Sequence, residues 1–161
     1  YNLLFRAIEY KIMPFCRKHK ISILPYCPIM QGLLTGKFSE ADAVPEDRAR
    51  SRHFSGQRPQ ARHGEQGVEH ETFRTIEAIG QVAQESGESM GTLAQVWLLA
   101  QPMVATVLTG ARNAGQVERN LRAAEVTAKP ETLQRLTELT DPLKKTLGDN
   151  PDMWQSASRV F

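Results

Sequence analysis

Two short stretches of this 161-residue chain carry residue types that could grip an anion. The first is Leu24-Pro-Tyr-Cys-Pro-Ile-Met-Gln-Gly-Leu-Leu-Thr-Gly-Lys37. Its start overlaps residues 21–26, a short, apolar, β-branched run that reads as a buried strand. An aromatic such as Tyr26, at the C-terminal end of a parallel strand, sits where α/β active sites are built. Its ring could lie against a planar ligand. Gly32 and Gly36 let the backbone approach a ligand closely, and Lys37 offers a point charge for phosphate. From spacing alone, a rim tyrosine beside an ordinary glycine-containing turn fits equally well.

The second stretch is Val107-Leu-Thr-Gly-Ala-Arg-Asn-Ala-Gly-Gln-Val-Glu-Arg-Asn120. Residues 104–109 read as a second buried strand, after which Gly110 follows and a helix opens within a few residues. Helix N-termini present free N–H groups and partial positive charge, so they take anions readily. Arg112 stands just ahead of that helix, where its planar fork could hold a phosphate. Gln116 and Asn120 lie one turn apart and share a face, within reach of a base edge or ribose. Asn113-Ala-Gly-Gln116 resembles a capping box. Spacing by itself favours the plainer reading, a capped helix with solvated polar residues.

A third feature is basic. Residues 48–63 hold five arginines (Arg48, Arg50, Arg52, Arg58, Arg62) and two histidines, with no acid. Nucleic acid could be bound this way, but Phe54 is the one aromatic there, and Glu46, Asp47, Glu65, Glu69 and Glu71 flank the segment. The better expectation is a solvated loop over residues 39–69 that helps cover a ligand, with no nucleic-acid role. The four histidines lack ligand spacing, and the two cysteines, Cys16 and Cys27, suggest no disulfide framework.

The elements that must position these residues follow from periodicity. Ile8, Ile12, Phe15 and Cys16 recur at helical spacing, with Pro14 either kinking that helix or lying in its first turn. Phe73, Ile76, Ile79 and Val82 mark a helix ending at Gly87. Leu93, Val96, Trp97 and Ala100 mark another, with Ser89 as N-cap. Val117, Leu121 and Ala124 carry the helix after the second strand. Leu133, Leu136 and Leu139 carry a last one opening at Pro130, and residues 141–161 read as a C-terminal loop. Strands alternating with helices imply α/β architecture and a parallel sheet. Two strands cannot by themselves form one covered on both faces, so other strands are required from outside this sequence.

Composition is that of an ordinary globular chain: 40% apolar, 24% charged, net charge +2. No run approaches the ~20 apolar residues that span a bilayer, so no membrane role is expected. The first residues lack an initiator methionine and the order of a signal peptide, which reads as a trimmed piece in a cytoplasmic setting.

Several motifs taken together resemble the aldo-keto reductases. They are Tyr1-Asn-Leu-Leu-Phe-Arg6, residues 25–37, Arg58-Pro-Gln-Ala-Arg-His-Gly64, Trp97-Leu-Leu-Ala-Gln-Pro102 and Gly110-Ala-Arg-Asn113. The resemblance runs over nearly the whole chain. It implies a (β/α)8 TIM barrel that uses NADP(H) to reduce aldehydes or ketones. Residues 1–161 would then be the C-terminal portion of one such domain, from the end of strand six. The resemblance further implies that Tyr26 stacks on the nicotinamide. Cys27, Pro28, Ile29, Gln31, Gly32, Leu33 and Lys37 would lie along the pyrophosphate. Gly110 and Arg112 would meet the adenosine 2′-phosphate, with Gln116 and Asn120 at the adenosine. Arg119 departs from the family pattern, where glutamate is common, and Cys27 stands where serine is usual. The family's catalytic Asp, Tyr, Lys and His come from the first half of the barrel, and their motifs are not in this sequence. The chain is thus expected to hold cofactor for a carbonyl substrate once joined to the N-terminal half, and to be inactive alone. The other class of function is a non-catalytic module that binds dinucleotide or a protein partner, as reductase-like subunits of some potassium channels do.

Overall fold

A computed structural model describes residues 1–155. Five α-helices dominate it: α1 (Ile12–His19), α2 (Glu69–Ser86), α3 (Met90–Leu99), α4 (Ala114–Glu125) and α5 (Pro130–Leu147). Pro14 falls in the first turn of α1, where its missing N–H forfeits no intrahelical bond. Arg17, Lys18 and His19 crowd the last turn of α1, beside the negative end of the dipole. α2 opens with Glu69 and Glu71 and stops at Gly87, whose φ of 71° makes the left-handed cap. Ser89 caps α3 by accepting a hydrogen bond from the Thr92 N–H at 3.0 Å. α3 is apolar nearly all round, and residues Leu93 to Leu98 are correspondingly buried.

The core is built where α2 packs on α5 and α3 lies against α4. Leu3, Leu4 and Phe5 from the N-terminal segment enter it, with Met30, Leu33 and Leu34, Ile76 and Ile79, Leu93 and Trp97, Leu136 and Leu143. A buried polar clamp fixes the N-terminal segment to α5. Arg6 forks onto both oxygens of Glu9, and its Nη1 donates to the Thr137 carbonyl, Thr140 Oγ1 and Asp141 Oδ1, each within 2.8 Å. Lys144 closes the other side of Glu9 at 2.7 Å.

The two expected strands are present only as a minimal parallel pair. Isolated bridges join Ile23 to Val104 and Tyr26 to Leu108. Three backbone bonds hold them: Ile23 N–H to Met103 O, Ala105 N–H to Ile23 O and Leu108 N–H to Pro25 O. Pro25 has no N–H to extend the ladder, and neither outer edge has a neighbour among the described residues. The buried readings of residues 21–26 and 104–109 are therefore corrected, since Ile21, Leu24 and Tyr26 are exposed, as are Ala105, Thr106, Leu108 and Thr109 opposite. With one partner strand and no cover on one side, half of a pleated pair must face outward.

Two further expectations change. The C-terminal loop does not begin at residue 141, because α5 runs on through Pro142 to Leu147. An interior proline costs about 3 kcal/mol. Burying Leu143 and Leu147 beyond it returns about 1.5–3 kcal/mol each, so the helix continues. Residues 148–155 form the non-helical tail, and the rest of that expected loop, 156–161, lies outside the described residues. The segment 39–69 does lack helix apart from one short 3-10 turn, Ala41–Ala43, and Glu69, which opens α2. It is not a surface loop throughout, for Ala49, Ser51, His53 and Phe54 are fully buried. Two of its arginines are spent inward: Arg52 pairs with Glu65, and Arg58 with Glu69 and Asp42. No helix among the described residues is long and apolar enough to cross a membrane.

Candidate functional site

The segment after Tyr26 is bent tightly by an unusual run of left-handed residues. Cys27, Met30 and Gln31 have φ of 54°, 45° and 54°, and Gly32 follows at 96°. A non-glycine residue held in that region costs about 1–2 kcal/mol, and such strain clusters at ligand-binding turns. The core tolerates it because Met30, Leu33 and Leu34 anchor the segment from below. Asn2 Nδ2 also donates to the Cys27 carbonyl at 3.1 Å, and Thr35 Oγ1 to that of Gly32 at 2.7 Å.

Within this turn Gly32 is closely covered by side chains. A Cβ there would meet Cε and Nζ of Lys37 at 2.9 Å and Nη1 of Arg48 at 3.9 Å. The lysine thus folds back over the turn, and Arg48 of the long loop stands beside it. Desolvation, then the like charges of Arg48 and Arg112, pull the Lys37 ammonium below its ordinary pKa. Lys37 and Arg48, from two separate segments, therefore meet over Gly32, and Arg112 is a further like charge acting on Lys37. Among the described residues none of the three forms an ion pair. Arg6, Arg52 and Arg58, by contrast, each hold a carboxylate. Like charges held close without a counter-charge raise the local positive potential.

The sequence reading named Lys37 for the pyrophosphate and Arg112 for the 2′-phosphate, and it named Arg48 only as one of the loop's arginines. The signal was the excess of arginine over acid in residues 48–63, but nothing in the spacing separates Arg48 from the arginines that stay inside the loop.

The opening of α4 supplies the second half. Asn113 Oδ1 accepts from the Gln116 N–H at 3.0 Å, as a cap should. The reciprocal arm of the capping box is displaced by one residue, because Gln116 Oε1 accepts from the Arg112 N–H at 2.7 Å. Asn120 Nδ2 donates to the Gly110 carbonyl at 3.2 Å. Both amides thus fold the 110–113 turn that presents Arg112. To reach a ligand they would have to release these bonds. Arg119 lies back along the first turn, its Nη1 3.6 Å from where a Gly115 Cβ would stand.

The remaining candidates are spread more widely. Tyr26 closes the bridge pair with its side chain exposed. Pro28 and Leu33 are buried and can offer a ligand only backbone, while Ile29 is half-buried against Gly91. Burial pushes the Cys27 thiol up, which disfavours a reactive thiolate. Gln31 keeps Oε1 buried without a hydrogen-bond partner among the described residues. Nearby, His53 is sealed in the core. Its Nε2–H donates to the Leu4 carbonyl at 2.9 Å, and Ser51 Oγ–H donates to Nδ1 at 3.1 Å. Desolvation, the largest influence, lowers its pKa to about 4.

These features define a helix-rich α/β chain with basic side chains free of ion pairs, among the described residues, in the segments that follow two parallel extended pieces. The profile of the aldo/keto reductase family matches residues 1–141, and the chain belongs to that family. The L-glyceraldehyde 3-phosphate reductase of Escherichia coli O157:H7 is 29% identical over 98% of this chain and 43% of its own length. A probable voltage-gated potassium channel subunit beta of Arabidopsis thaliana is 27% identical over 78% of this chain and 37% of its own. Among solved structures, a glycerol dehydrogenase of Gluconobacter oxydans superposes on the whole chain with a TM-score of 0.68 at 25% identity, using 44% of that protein. The chain spans about two fifths of the length of these relatives.

Proposed function

We propose that this chain is the C-terminal, cofactor-holding portion of an NADP(H)-dependent carbonyl reductase with a (β/α)8 barrel. The unpaired cations Lys37, Arg48 and Arg112 carry the reading. With the turn at Gly32 they fit the phosphates of a dinucleotide: a glycine turn for close backbone approach, one point charge, and two guanidinium forks. When bound, the cofactor would supply hydride to an aldehyde or ketone. The protein residues named here bind and orient it. The proton donor and its partners would come from the N-terminal half of the barrel, so the 161-residue chain alone should not turn over. Arg52 and Arg58 are neutralised internally, which argues against nucleic acid as a partner. The free thiols of Cys16 and Cys27 suit a reducing, cytoplasmic setting.

The decisive test is Arg112→Ala in the full-length protein, titrated by fluorescence with each cofactor. NADPH affinity should fall by about 10- to 100-fold, the worth of a charge-assisted pair, and NADH affinity much less. Equal losses would remove the 2′-phosphate role. The likeness to a channel subunit favours one second reading, a module that binds dinucleotide and a protein partner without turnover. A full-length protein that binds NADPH but reduces no aldehyde would select it.

A further inference from the structure

We propose that Asn2 is the positioning residue of the cofactor turn: its carboxamide holds residues 27–31 in the shape that takes the dinucleotide's pyrophosphate. This role rests on the reductase reading and deepens it, naming the side chain that keeps the site formed before a ligand arrives. Asn2 is 1% exposed, and both polar atoms of its side chain are fully engaged. Its Oδ1 accepts from the Leu4 and Phe5 N–H groups, each at 3.0 Å, which closes an Asx turn in the N-terminal segment. Its Nδ2 donates to the Cys27 carbonyl at 3.1 Å and lies 3.5 Å from Met30 Sδ. The partners fix which way the amide faces, since turning it over would set its NH2 against two N–H donors.

The two residues that Nδ2 reaches are strained ones. Cys27 and Met30 have φ of 54° and 45°, and Gln31 follows at 54°. The Cys27 carbonyl also accepts from the Met30 N–H at 3.0 Å, so the Asn2 tether and the closure of the turn share one oxygen. Non-glycine residues persist in the left-handed region only where their surroundings over-determine them. Met30, Leu33 and Leu34 anchor the segment by burial, which is non-directional. Among the described residues, Asn2 is the one side chain that hydrogen-bonds to residues 27–31, and it supplies the missing direction. A turn held in its binding shape leaves less ordering for the ligand to impose. Asn2 thereby links the end of the N-terminal segment, 25 positions away, to the junction that follows Tyr26.

The experiment compares full-length wild type, Asn2→Asp and Asn2→Ala at pH 6 and pH 9. NADPH and NADH are titrated by fluorescence, and each affinity is taken relative to wild type at the same pH. Aspartate keeps the acceptor for Leu4 and Phe5, and burial raises its pKa. Protonated, it still donates to the Cys27 carbonyl; ionised, it faces that carbonyl with an oxygen. Asn2→Asp should therefore bind both cofactors within about twofold of wild type at pH 6 and about 10-fold more weakly at pH 9. Asn2→Ala should lose about 10-fold at both pH values. The loss should fall on NADPH and NADH alike, unlike that of Arg112→Ala, because both carry the pyrophosphate. Alkylation of the half-buried Cys27 thiol, read by mass spectrometry with buried Cys16 as reference, needs no cofactor. It should run about 3- to 10-fold faster than in wild type wherever affinity is lost. A folded Asn2→Asp that matches wild type at pH 9, in affinity or in Cys27 labelling, would overturn the proposal, and so would an equal loss at both pH values. If Asn2→Asp unfolds at pH 9, Asn2→Ala decides by the same two readouts. Wild type that binds neither cofactor would sink the reductase reading instead, and the labelling rates would still decide whether Asn2 holds the turn.

Discussion

Gly32 and His53 show how much of this molecule turns on single positions. At Gly32 a methyl group would meet the end of the Lys37 side chain at 2.9 Å, which a flexible lysine can yield. The φ of 96° cannot be accommodated so easily. Gly32→Ala should therefore cost about 1–2 kcal/mol from backbone strain and push Lys37 off the turn. Denaturant midpoints would report the first effect and NADPH titration the second; unchanged affinity would mean Lys37 does not touch phosphate. His53 makes a pH prediction. Its folded pKa of about 4 lies below the usual value near 6.5, so the unfolded chain binds more protons between those limits. Stability contributed by neutral His53 is complete above about pH 6.5 and is lost as pH falls, levelling off below about pH 4. Substituting His53→Gln and comparing urea midpoints from pH 7.5 to 4.5 should give a shallower acid slope than wild type. Parallel slopes would dispose of the assignment. Lys37 and Arg112 could be named from the sequence as candidates because each stands beside a glycine turn or a helix start, with their roles coming from the family resemblance. Arg48 and His53 could not, since their surroundings come from segments far away in the chain.

Helices and their ends were the most legible elements, and the reason is local. Ser89, Asn113, Gly87 and Pro14 each do what their covalent structure dictates within a turn of their own position. The misreadings all depend on distant packing. α5 continues past Pro142 because of leucines that reach the core, the loop at 39–69 turns inward to bury Phe54, and the strands stop after one bridge each way. Even at α4 the sequence supplied the cap but not the shift of Gln116 onto the Arg112 N–H. That shift couples helix and ligand loop. Removing the cap by Asn113→Ala should cost about 1 kcal/mol in stability, measured by urea unfolding. It should also weaken NADPH binding, because the turn bearing Arg112 is tied to the same helix start. A stability loss with unchanged cofactor affinity would show that the turn is held by Gln116 and Asn120 alone.

At the scale of the molecule, the apolar surface is unevenly finished. One side holds a dry core around Trp97, Ile79 and Leu136, each with no exposure. Elsewhere Ile12 and Phe15 of α1, Leu24, Tyr26 and Leu108 of the bridge pair, and Val117 and Leu121 of α4 are exposed. Scattered exposed leucines are ordinary, but these residues belong to helices and paired segments on both sides of two open edges. Unpaired edges with apolar faces are sites of association. The proposed N-terminal half of the barrel would cover them by adding strands and their helices. The 161-residue chain on its own should therefore self-associate with rising concentration in light-scattering chromatography and bind a hydrophobic dye. The full-length protein should do neither. Adding a separately made N-terminal half should suppress both effects and restore NADPH-dependent reduction, because cofactor and proton donor would then share one closed barrel. A monomeric 161-residue chain that unfolds cooperatively and ignores the added half would show that these faces need no cover.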